Sequence, residues 1–104
     1  MSSPAVNLIR ARRDFIGKYA AWKTAEHFDD ADKEEKRATS LAAYDAHQAT
    51  LSAYLVSQPK YFDANDYCIN TTRDQWQAAT DAINARMDDN QRVHILQMMN
   101  GERP

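Results

Sequence analysis

The chain has 104 residues, enough for one domain, and contains 17 Ala but only 2 Gly and 3 Pro. A β-sandwich or barrel needs many tight turns and many β-branched residues, and this composition, with Val6, Val56 and Val93 its only valines, points instead to an all-α protein. Thirteen Lys and Arg against fifteen Asp and Glu give a net charge of −2, which predicts no whole-chain attraction to nucleic acid or membrane.

The pattern of helices begins at the N-terminus. Ser3-Pro4 has the form of an N-cap followed by proline in the first turn. Leu8, Phe15, Tyr19, Trp22 and Glu26 then recur at three-to-four spacing beside Ile9 and Ile16, which predicts a helix over 4–28. Gly17 falls inside it, and close passage of another helix is the expected reason.

Residues 29–37 carry eight charges in nine positions, the composition of a solvated helical turn. Asp29 or Asp30 is placed to cap a helix over 30–57, which Pro59 stops. Its expected inward seam is Leu41, Tyr44, Gln48, Leu51 and Leu55. Ala42, Ala46, Ala49 and Ala53 form a small-residue strip suited to close packing.

Phe62, Ile69, Trp76 and Ile83 recur every seven residues, followed by Met87, which predicts a third long helix over 64–88 capped by Asp63 or Asp66. Asp88-Asp89-Asn90 reads as a break. Val93, Leu96 and Met99 then form one stripe of a short fourth helix over 90–100, stopped at Asn100-Gly101, with 102–104 as a frayed tail. The expected architecture is a small antiparallel helical bundle in one domain spanning 1–104, three long helices plus a short C-terminal one.

Chemistry-bearing motifs are scarce. No two of His27, His47 and His94 are four residues apart, and none follows a Glu by three, so the zinc-protease and di-iron bundle motifs are missing. The lone Cys68 excludes an internal disulfide and a Cys-based metal site, and it is expected to be a partly buried, inert thiol. Gly17 and Gly101 stand alone, so there is neither a phosphate loop nor a serine-hydrolase elbow. The expectation is a non-enzymatic protein without cofactor or metal. No signal peptide or membrane span is visible, which suggests the cytoplasm of the producing or infected cell.

Two segments stand out as binding candidates. Tyr61, Asp63, Asp66 and Tyr67 set aromatics among carboxylates, a composition suited to a protein interface, with Phe62 expected in the core. Arg10, Arg12, Arg13 and Lys18 make the first helix basic: residues 1–28 are net +3 and the remainder net −5. That helix would grip nucleic acid, dock on an acidic protein surface or pair with the chain's own acidic segment 29–35.

The general look, a small motif-free helical protein, is similar to accessory proteins of bacteria, phages and other mobile elements. The likeness is one of style and transfers no residue roles. The leading expectation is a protein-binding module, a phage- or mobile-element-type modulator or inhibitor of a larger host complex. Nucleic-acid binding through the basic helix is the alternative. So is a homo-oligomeric assembly protein, because only 22 residues are bulky and apolar and a second copy would complete their burial.

Overall fold

The computed structural model describes residues 3–101, which form three α-helices and no strand: α1 (Pro4–His27), α2 (Lys33–Val56) and α3 (Ala64–Met99). The expected tail over 102–104 lies outside the described residues. Ser3 caps α1 by accepting a hydrogen bond from the Val6 amide at 3.2 Å, with Pro4 in the first turn. Asp63 caps α3 in the same way, its Oδ1 accepting from the Asp66 amide at 3.1 Å. The second helix starts later than expected and its N-cap, Asp32, makes no side-chain cap bond. The reason is that Asp29 and Asp30 are drawn elsewhere, Asp29 to Lys33 and Asp30 to Arg86.

The separate fourth helix does not exist. Residues 90–100 continue α3, which is helical through Met99 and ends at Asn100 with Gly101 at φ 76°. Asp and Asn disfavour a helix interior by only a few tenths of a kcal/mol, far less than Pro, so Asp88-Asp89-Asn90 cannot stop a helix already under way. At 1.5 Å per residue α3 is roughly 54 Å long and α1 and α2 roughly 36 Å. The excess leaves an overhang: every residue from Met87 to Gly101 is exposed. The molecule is accordingly elongated, 64 × 25 × 25 Å with a radius of gyration of 18.3 Å. A compact chain of this length would have about 13 Å.

Helix α1 packs against both α2 and α3, whereas the α2 and α3 backbones do not run against each other. Leu8, Phe15, Ala20 and Ala25 of α1 are buried. On α2 the buried positions are Ser40, Ala43, His47 and Leu51. That seam is rotated from the expected one: Leu41, Tyr44 and Leu55 are exposed, as is the strip Ala42, Ala46, Ala49 and Ala53. Ser40 and Ala43 are small enough for α1 to come close, and His47 finds a polar partner inside, which together outweigh the larger apolar face.

Helix α3 shows the same inversion more strongly. It buries Thr71 and Ala79, while Ile69 and Trp76 of the seven-residue stripe are 58% and 64% exposed. Phe62 is half-buried. Gly17 is exposed with nothing within 4 Å of where a Cβ would sit, so no helix passes close to it. Cys68 is exposed rather than partly buried.

The charged segments behave locally. Lys33, Lys36 and Arg37 pair with Asp29, Asp32 and Glu34. Arg12, Lys18 and Lys23 of α1 find partners outside the acidic segment 29–35. Lys18 pairs with Asp14 at 3.0 Å, Lys23 with Glu26 at 2.9 Å, and Arg12 with Asp74 of α3. The link from that segment to the rest of the fold is Asp30, which accepts two bonds from Arg86 at 2.5 and 2.7 Å. Arg86 also lies over the Phe28 ring, 4.4 Å from its centroid, and so clasps the α1–α2 turn onto α3.

Candidate functional site

The two segments singled out by sequence meet at one place. An open groove of about 380 Å³ is lined by Leu8, Ile9 and Ile16 of α1, Tyr54 of α2, Phe62 before α3 and Tyr67 on it. Arg12 and Arg13 join the same lining, so an apolar surface carries guanidinium groups at its side. Helical spacing explains the arrangement. Leu8, Arg12 and Ile16 are four apart on α1 and share one face. Tyr54 and Phe62 come to the same end because residues 57–63 turn the chain there, and their rings meet edge to face with centroids 4.9 Å apart.

Beneath the groove lies a polar node joining all three helices. His47 is 2% exposed, and its Nε2 is hydrogen-bonded to the Tyr67 hydroxyl at 2.7 Å. The imidazole stacks on Phe15, centroids 5.7 Å apart and planes 8° from parallel. Its Nδ1 is buried without a hydrogen-bond partner. Arg12 completes the node. Its Nε donates to Thr71 Oγ1 at 3.0 Å, its Nη2 pairs with Asp74, and the guanidinium lies 5.9 Å from the Tyr67 ring centroid. Thr71 in turn donates to the Tyr67 carbonyl at 2.8 Å.

Burial, reinforced by the nearby Arg12 charge, pushes the His47 pKa below its ordinary 6.5. Burial also pushes the Tyr67 hydroxyl up, with Arg12 opposing that shift. Both groups are therefore neutral near pH 7. They brace the site rather than titrate in it.

The sequence candidates divide accordingly. Tyr67 is half-buried and faces inward onto His47 and Phe62. Asp63 is occupied as the α3 cap, and Asp66 accepts from Asn70 Nδ2 at 3.3 Å. Tyr61 is fully exposed and sits at φ 61°, a left-handed conformation that is costly for a bulky side chain. Of the basic set, Arg12 is taken up by Thr71 and Asp74, and Lys18 pairs with Asp14. Arg10 and Arg13 are exposed on α1.

His47 and Tyr54 were not candidates in sequence terms. Their roles depend on Tyr67, twenty residues after His47, and on the turn that brings up Phe62. Nothing in local spacing signals either. Among the described residues no three His, Cys, Asp or Glu side chains gather to hold a metal, and no helix is long and apolar enough to cross a membrane. No protein-family model, curated protein or solved structure matches the chain.

Proposed function

We propose that this chain is a non-enzymatic protein-binding module, and that the groove on α1 receives an apolar segment of its partner. The observation that carries the reading is the groove itself: Leu8, Ile9, Ile16 and Phe62 line an open surface held from below by the Arg12–Tyr67–His47 node. Tyr61 supports it further. Its left-handed backbone is shared by Asp29 and Gln58, both at φ 53° in the turns between helices, so it is the full exposure of a large aromatic beside Phe62 that favours contact with a partner. Arg13 at the groove favours a partner segment that carries a carboxylate beside its apolar residues.

In its most specific form the proposal is a phage- or mobile-element-type modulator or inhibitor of a larger host complex, acting in the cytoplasm. We read the bundle itself as up-and-down. Phe15 lies against Tyr44 and His47, Arg12 reaches Thr71 and Asp74, and Asp30 reaches Arg86, which is the order short connections produce.

Affinity capture from the native host, with mass spectrometry of the co-eluting proteins, tests the function. Ile9→Asp, at an exposed position in the groove, and Tyr61→Ala should each lose the captured partner while circular dichroism stays unchanged. The same partner captured by wild type and both variants would rule the groove out. Retention on DNA or RNA at low salt, falling steeply as salt rises and weakened by Arg13→Ala, would favour the nucleic-acid reading instead.

A further inference from the structure

A second surface is independent of the groove. Ile69, Trp76, Ile83 and Met87 fall on one side of α3 at seven- and four-residue steps, and Met98 continues that line onto the overhang. Such a stripe is what a helix shows when it packs along another helix over its whole length. Within the chain only Ile83 of this stripe is half-buried, and the rest of it is left exposed. Ile69 and Trp76 are mostly exposed, Met87 and Met98 are 48% and 64% exposed, and α1 packs on a different side of α3, through Thr71 and Ala79. Ile69, Trp76, Met87 and Met98 are thus turned away from the chain's own core, while the small Thr71 and Ala79 face it.

We propose that this outer face of α3 is a self-association surface, on which a second copy of the chain packs its own α3 in the opposite direction about a two-fold axis near Ile83. The length of the stripe is the first argument. It runs along a helix of roughly 54 Å, while α1 and α2 are roughly 36 Å and already packed, so another α3 is the matching element. The second is register. About an axis at Ile83–Asn84, Ile69 faces Met98, Trp76 faces Gln91 and Thr80 faces Met87. The overhang of each copy then lies on the exposed N-terminal half of the other in one closed arrangement, Met98 against Ile69, while Val93 and Leu96 on the far side of the overhang stay open to solvent.

Area is the third argument. A strip roughly 54 Å long and about 10 Å wide gives roughly 500 Å² per copy, or about 1,000 Å² in all, the lower bound for a specific interface. The association is therefore of modest affinity and depends on concentration. A net charge of −2 sets up little repulsion between copies. Parallel pairing would bring Trp76 level with Trp76 and Arg73 level with Arg73, whereas the antiparallel register sets Arg73 beside His94.

Sedimentation or light scattering across the micromolar range tests the proposal. The expected result is a monomer–dimer equilibrium that Trp76→Glu and Ile69→Glu each weaken by about tenfold or more, with helical content retained. A monomer at every concentration, or a dimer indifferent to both substitutions, would overturn it. Direction is read by disulfide cross-linking in a Cys68→Ser background. Ile83→Cys should link to itself, and Ile69→Cys should link to Met98→Cys on the other copy. Self-linking of Ile69→Cys would overturn the antiparallel arrangement. None of these substitutions touches the groove, so loss of dimer and loss of partner capture are separate outcomes.

Discussion

His47 gives the three-helix contact a dependence on pH. Its burial holds the folded-state pKa below the ordinary 6.5, so the unfolded chain takes up a proton first as pH falls. The stability associated with neutral His47 is complete above about 6.5 and is lost progressively below it. The groups facing it are Phe15, Tyr67 and the Arg12 cation, and none offers a carboxylate that would offset a charged imidazole. The thermal midpoint should therefore fall between pH 7 and pH 5, and His47→Gln should flatten that decline. Equal slopes for the two proteins would show that the imidazole stays solvated. Asp30 acts in a separate window. Its bond from Arg86 lowers its pKa below 3.8, so that contribution is lost only in stronger acid.

At the scale of elements, the three long helices and the inward Leu8 and Phe15 of α1 were legible in the sequence, whereas the run of α3 through Asp88-Asp89-Asn90 and most of the inward faces of α2 and α3 were not. Ser3-Pro4, Asp63 and Asn100-Gly101 act at termini through local hydrogen bonds and backbone preference, so spacing and residue type suffice to place those ends. Which side of a helix faces inward is a tertiary matter. It was decided by small residues such as Ser40, Ala43 and Ala79, which permit close approach, and by the pairing of His47 with Tyr67. Leu41, Ile69 and Trp76 lost that competition and face solvent, whereas Leu8, Phe15 and Leu51 are buried. The candidate site was legible to the same degree: Arg12 and Tyr67 could be singled out by type, but their contact spans α1 and α3 and has no local signature.

Gly17 belongs at this scale too. With open space around it and an ordinary helical backbone, the residue contributes only its entropic cost. Gly17→Ala should stabilise the protein by about 0.5–1 kcal/mol, raising the thermal midpoint by roughly 2–6 °C. A fall in the midpoint would mean that the space beside Gly17 is filled in solution.

At the scale of the molecule, the groove and the outer stripe of α3 lie on two separate faces, each a proposed binding surface. The groove involves the first half of α1, with Tyr54 and Phe62 closing one end. The stripe runs down α3 and out along the overhang, away from α1. A dimer formed through α3 would therefore leave both grooves open, and a bivalent molecule would hold two partner segments at a fixed separation. Avidity of that kind compensates for the modest size of either surface.

Because only α1 packs its backbone along both other helices, the chain also has an order of assembly built into it. The α1–α2 hairpin closes across the short turn at residues 28–32, whose contacts are near in sequence, and such local loops close fastest. Docking of α3 brings together residues as far apart as Arg12 and Asp74, or Asp30 and Arg86, and has to wait for a hairpin on which to settle. The rate-limiting barrier then contains the hairpin and little of α3. Ala43→Gly on α2 should slow folding, while Ala79→Gly on α3 should chiefly speed unfolding, in stopped-flow measurements. The reverse pattern would place α3 in the nucleus. On the expected ordering, α3 is the last helix to join and the first to detach, so the helix that carries the proposed self-association stripe is also the one a fluctuation most readily releases.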